Sequence, residues 1–337
     1  MSYLTSKVTR GLCAVAVGVC VAACGNGDES SPHEPVRGDE SEERLGQLLD
    51  ASAPRGEDAP VVDAGAPATP TTPATPDAPA EPSGKSCLTP SRDNFASDGP
   101  YGVKSKTVTV GQLGQYTIFY PERFAADCKH PVAAWGNGTG VNGTKPYEHW
   151  HRRAASHGVV IIASHNANAG SQRFLEGGID YLLKENTTAG SEFNGKLSDR
   201  AGSAGHSQGG FAATTATRHP SVRAEVNVQG GGTPAEKAAM ICLTGTDDFV
   251  RTQCTASYNS AKGPAFLADL QGADHIGTPA SRGIGTPNGN LYIQLYTAWF
   301  RCFLAEDDAA CGLFRGGKSA PVCKLGQYAT CDGRNIP

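Results

Sequence analysis

A strand of small residues, Ala201-Gly202-Ser203-Ala204, runs into Gly205-His206-Ser207-Gln208-Gly209-Gly210 and then into a helix-forming stretch, residues 211–218. Few backbone arrangements accept that pattern. A serine between a strand end and a helix start sits on a bend so tight that side chains two residues either side would collide, and glycine fills both places. The bend lifts the hydroxyl off the end of a sheet. The helix behind it aims its first amides towards the same point. A plain Gly-rich turn would share the letters, so the partners of such a serine must be sought elsewhere in the chain.

The surrounding sequence alternates short apolar runs with helical periodicity. Strands are predicted over 108–110 and 116–120 as a hairpin, then over 132–135, 159–163, 201–205, 224–228, 238–244 and 265–270. Helices are predicted over 147–156, 174–184, 211–218 and 291–304, the last with Leu291, Leu295, Ala298, Trp299 and Cys302 on one face. His149, Trp150, His151, Arg152 and Arg153 read as a polar helix face anchored by Trp150. Strands alternating with helices predict an α/β fold, a mostly parallel sheet covered on both faces.

A serine hydroxyl is a poor nucleophile without a base. On the G-x-S-x-G bend the partners follow in the order acid, then histidine, which makes the fold an α/β-hydrolase fold. Of nine histidines only His219 and His275 follow Ser207. His219, in Arg218-His219-Pro220, reads as a cap at a helix end. His275 follows the last predicted strand in Gly272-Ala273-Asp274-His275 and is the expected base. The acid should leave the preceding strand, in Thr244-Gly245-Thr246-Asp247-Asp248. Asp248 is the choice, to hold the imidazole in one tautomer. Asp247 reads as a turn residue and Asp274 as a solvated neighbour. An oxyanion hole needs two backbone amides, one from Gln208 and one from the loop Gly136-Asn137-Gly138. Asn137 is the expected second donor, with Gly138 next.

Lys7 and Arg10 precede an apolar run too short to span a bilayer, which ends in Val21-Ala22-Ala23-Cys24. This looks like a lipobox, so residues 1–23 are expected to be a lipoprotein signal peptide and Cys24 a lipid anchor. Gly25 after the cysteine points to an outer membrane. Residues 24–86 are rich in Pro, Ala, Thr and acidic residues and read as a disordered tether. Residues 1–84 carry 13 acidic and 5 basic groups, and the remainder is mildly positive. No basic stripe suggests nucleic acid. Eight cysteines follow residue 86, an even set that in an exported chain argues for disulfides. Spacing alone does not determine connectivity; nearest-neighbour pairing (87–128, 242–254, 302–311, 323–331) is the expectation. No metal-ligand spacing occurs, and no cofactor is implied.

Residues 101–323 resemble the bacterial cutinase and polyethylene-terephthalate hydrolase family, within the wider dienelactone-hydrolase-like group. The resemblance rests on residues 107–121 with Phe119-Tyr120-Pro121, on Arg153-Ala154-Ala155-Ser156-His157-Gly158-Val159-Val160, on His219-Pro220-Ser221-Val222-Arg223-Ala224 and on Ala298-Trp299-Phe300-Arg301. By position it implies Ser207, Asp248 and His275 as a triad, and Asn137 with Gln208 as the oxyanion pair. Polyester-cleaving members usually carry an aromatic residue at Asn137, a Met at Gln208 and a Trp where this chain has Gln229-Gly230-Gly231-Gly232. Cys242 and Cys254 do not match the family's usual bridge.

The expectation is therefore a monomeric serine carboxylic-ester hydrolase domain, residues 87–337, with no large lid and an open cleft for bulky or polymeric esters. It would sit in the cell envelope or at the cell surface, joined to the membrane by its anchor. A serine peptidase on this fold would usually carry a separate propeller or helical cap, for which the length leaves no room. A polysaccharide de-esterase and a non-catalytic surface binding protein are the other readings.

Overall fold

The computed structural model describes residue 87 and residues 94–337. The expected signal peptide, Cys24 and the tether lie outside the described residues.

The strands are Val103–Thr109 (β1), Gln115–Pro121 (β2), His130–Gly136 (β3), Val160–Ser164 (β4), Leu197–His206 (β5), Val222–Val228 (β6), Ala239–Asp247 (β7), Ala265–Asp274 (β8) and Tyr328–Arg334 (β9). The helices are Glu148–Ser156 (α1), Arg173–Glu185 (α2), Gln208–Ala216 (α3), Arg251–Ser260 (α4), Pro287–Ala305 (α5) and Asp308–Gly312 (α6). One sheet holds all nine strands in the order β1-β2-β4-β3-β5-β6-β7-β8-β9. The strands from β4 through β8 in that order run parallel. β1, β2 and β9 run antiparallel to their neighbours.

Every residue of β3 and of β4 is buried. Short strands buried at every position belong to a sheet with both faces covered, since alternate side chains need a core on each side. Ala133, Trp135 and Ile161 pack in the layer that holds Trp150 of α1 and Tyr296 and Trp299 of α5. Val132, Ala134, Val160 and Ile162 pack with Leu175 and Ile179 of α2 and Ala212 and Ala216 of α3. Cys254 and Tyr258 of α4 cover Met240, Cys242, Ala265 and Leu267 at the end of the sheet.

The polar face expected on α1 is not polar throughout. His151 is fully buried, with Trp135 and Phe119 at 5.1 and 5.2 Å between ring centroids. Burial pushes its imidazole down to about 3, so the ring is neutral and packs as an aromatic. The helix α5 begins at Pro287, earlier than expected, because Thr286 caps it by accepting from the Gly289 amide at 3.1 Å. The helices α4 and α6 and the strand β9 are additions to the expected elements. The four disulfides join Cys87–Cys128, Cys242–Cys254, Cys302–Cys311 and Cys323–Cys331, the nearest-neighbour pattern. Among the described residues no helix is long and apolar enough to cross a membrane.

Candidate active site

Ser207 stands between the last residue of β5 and the first of α3, with φ 56° and ψ −119°. A non-glycine residue there carries strain on the order of 1–3 kcal/mol, which its surroundings must offset. The Ser207 amide donates to Val228 O at 2.9 Å, tying the bend to β6. The bend also needs empty space around it. A Cβ on Gly205 would stand 2.3 Å from Gly209 O, and one on Gly209 would stand 2.1 Å from Gly136 O. The two glycines flanking Ser207 are therefore steric requirements of this turn.

The loop after β8 brings His275 to the serine. Its Nε2 lies 3.0 Å from Ser207 Oγ, and its Nδ1 lies 2.7 Å from Asp248 Oδ1. His275 and Asp248 are both nearly buried. Burial would push the Asp248 carboxyl up. Hydrogen bonds from His275, the Thr244 hydroxyl at 2.6 Å and the Val250 amide at 2.9 Å outweigh it and hold the group below its usual range. The neighbouring Asp247 is exposed and accepts from Thr246, and is not part of this chain of contacts. The other downstream histidine, His219, accepts from the Ser221 amide and lies 3.1 Å from Asp180, within the turn after α3.

Three side chains without an assigned role in the sequence hold the His275 loop. His206, fully enclosed beside Ser207, lies 2.8 Å from His275 O through Nε2 and 2.8 Å from the Tyr147 hydroxyl through Nδ1. A carbonyl only accepts, so Nε2 carries the proton and Nδ1 accepts from Tyr147. Burial pushes this ring down to about 3, which keeps it neutral. Gln229, directly after β6 with φ 52°, donates through Nε2 to Asp274 O at 2.8 Å. Consecutive carbonyls of the loop are thus gripped from β5 and β6. Asp274 is exposed but not merely solvated. Its Oδ1 accepts from the amides of Gly277 and Thr278 and closes the turn behind His275. The signal for His206 was its place inside the glycine-serine motif; nothing local marked Gln229.

Gln208 is the first residue of α3, and the leading amides of a helix have no intrahelical acceptor. Its side chain turns aside and donates to Ala167 O at 2.8 Å. Asn137 follows β3 and is fully buried. Its side-chain Nδ2 faces the carbonyls of Val141, Gly143 and Ser164 within 3.1 Å, which folds the loop back on itself. Close packing of Gly136 against Gly209 sets this loop beside the Ser207 bend.

Exposed apolar side chains stand near Ser207, Asp248 and His275 in the chain. Phe249 is 73 % exposed, with its ring centroid 4.0 Å from that of His275. Ile276 is 56 % exposed, and Phe211, one helical turn beyond Ser207, lies over Gly231. The connection between β6 and β7, residues 229–238, holds no helix or strand and forms no lid. A cavity of about 590 Å³ flanks the His275 loop, lined by Gln271, Asp274, Thr278 and Arg282 among others, and Ser207 does not line it. Cys87, Cys128 and His130 form a cluster within 4.8 Å, but the two sulfurs are bonded to each other. Both ring nitrogens of His130 are engaged, by Gly158 O and the Ala125 amide. That cluster is a structural staple, not a metal centre.

A family model described as PETase, PET hydrolase-like, matches residues 85–311. Comparison with curated proteins finds no match.

Proposed function

The chain belongs to the PET hydrolase-like family, and on that footing we propose that it is a serine carboxylic-ester hydrolase working through an acyl-enzyme on Ser207. The observation that carries this reading is the position of His275, 3.0 Å from the serine hydroxyl and 2.7 Å from a carboxylate. His275 takes the Ser207 proton as Oγ attacks the ester carbonyl. Asp248, kept ionised by three donors, holds the imidazole in one tautomer and stabilises its positive form. The amides of Gln208 and Asn137 receive the oxyanion; one such donor contributes about 3–4 kcal/mol of barrier lowering. The imidazolium returns its proton to the departing alkoxide. Water, activated by the same imidazole, then releases the acid and restores the serine.

The exposed rim of Phe249 and Ile276, with no lid from residues 229–238, suits bulky or polymeric esters. The deciding experiment compares wild type with Ser207→Ala on p-nitrophenyl esters of increasing acyl length. The expected loss is on the order of a thousandfold or more, with fluorophosphonate labelling abolished. Equal turnover by both proteins would overturn the reading. A wild type that neither turns over esters nor takes the label would mark a binding protein.

A further inference from the structure

We propose that Phe249 is the wall against which the alcohol portion of the ester lies, so that substrates are selected on the leaving-group side. The inference rests on the ester-hydrolase reading above and adds a specificity-determining surface to it.

Phe249 follows Asp248 in the turn between β7 and α4. A phenylalanine left 73 % exposed gains little from folding, because most of its apolar surface stays in water. Yet its backbone is held on both sides. The Asp248 amide donates to Gly245 O at 3.1 Å, and the Asp248 carboxylate accepts from the Val250 amide at 2.9 Å. The ring leans on the imidazole, with 4.0 Å between centroids and 42° between planes. One of its faces covers His275, which is only 4 % exposed, while the rest of the ring stands open to solvent. Ile276, next after the histidine, is 56 % exposed.

The chemistry decides which half of an ester this surface meets. The carbonyl oxygen must point at the amides of Gln208 and Asn137. The leaving oxygen must approach His275 Nε2 to be protonated, within about 3 Å. The group bonded to that oxygen therefore passes the imidazole, against which the Phe249 ring lies. The acyl chain departs from the opposite side of the same carbon. Apolar surface packed on the histidine thus favours esters of bulky apolar alcohols, aryl or extended alkyl, over esters of methanol.

Two ester series separate the halves. In one the acyl group is acetyl and the alcohol is methyl or benzyl; in the other the alcohol is methyl and the acid is acetic or hexanoic. Wild type is expected to show a higher kcat/KM for benzyl acetate than for methyl acetate. Phe249→Ala should shrink that ratio about tenfold, while Phe249→Tyr keeps it. The ratio of methyl hexanoate to methyl acetate should be the same in all three proteins. A Phe249→Ala protein that loses the same factor on every ester would overturn the proposal, since the ring would then only support His275. An unchanged benzyl-to-methyl ratio would overturn it too. Wild type inert on all three esters would instead remove the ester-hydrolase reading on which it stands.

Discussion

Glu225 sits on β6 with its side chain fully buried against α3, where Thr214 donates to one carboxyl oxygen and the other has no hydrogen-bond partner. Burial pushes this acid up to about 8, with the Thr214 hydroxyl and the nearby Asn227 amide pulling only partly back. An unfolded chain sheds the proton near pH 4.5, whereas the folded chain keeps it. Between those two values the native state binds more protons, so stability falls as pH rises, by up to about 1.4 kcal/mol per pH unit. The contribution is fully present below the unfolded value and is lost as pH climbs through the folded one. Glu225→Gln keeps the acceptor for Thr214 and cannot ionise. The Tm of this variant relative to wild type should therefore rise steadily between pH 5 and pH 8. A difference that stays constant over that interval would show that Glu225 titrates alike in both states.

At the scale of elements, the edge strand β9 shows where legibility ends. The central strands are readable because β3, β4 and β7 are continuous apolar runs, which only a doubly covered sheet explains. The Ser207 bend and the order of Asp248 and His275 are readable because steric demand and proton-transfer chemistry restrict which residues can serve. The sequence of β9, Tyr-Ala-Thr-Cys-Asp-Gly-Arg, has no apolar alternation, and that of α4 has few apolar residues of any spacing. Their packing is made by other means. β9 pairs with β8 from Ala265↔Arg334 to Leu270↔Tyr328, and the disulfide Cys323–Cys331 holds its middle. Arg334 reaches Ala261 O at 3.1 Å and lies 4.2 Å from the Tyr258 ring, which links β9 to α4. The grip of His206 and Gln229 on the His275 loop is hidden for a related reason, since it joins residues far apart in sequence through backbone carbonyls that carry no residue signature. β9 also lies beyond the segment the family model matches. Ending the chain at residue 320 would leave the backbone groups of β8 unpaired on the strand that leads to His275. Exposed edges of that kind pair with other chains. The truncated protein is expected to aggregate, or to unfold at a clearly lower temperature, in sedimentation and thermal-melt measurements. A soluble monomer with an unchanged melt would show that β9 is dispensable.

At the scale of the whole molecule, membrane attachment and catalysis are assigned to different parts of the chain. Every group given a role in the reaction lies between Asn137 and His275, and the side chains that hold them lie within residues 94–337. We propose that Cys24 carries the acyl chains, several of which on one residue give lasting attachment where one does not. Residues 25–86 would then set the reach of the catalytic domain from the membrane, their prolines favouring extended chain. If so, the two properties separate cleanly. In a bacterial host Cys24→Ala should move the protein from the membrane pellet to the soluble fraction and abolish incorporation of labelled palmitate. Its kcat/KM on a small soluble ester should stay within about twofold of wild type, because no term in the acyl-transfer barrier involves the anchor. On an insoluble ester offered to whole cells the variant should lose activity from the cell surface and gain it in the medium. Sedimentation with membranes despite the substitution would sink the anchor assignment, and a loss of turnover on the small ester would mean that the N-terminal segment takes part in forming the site.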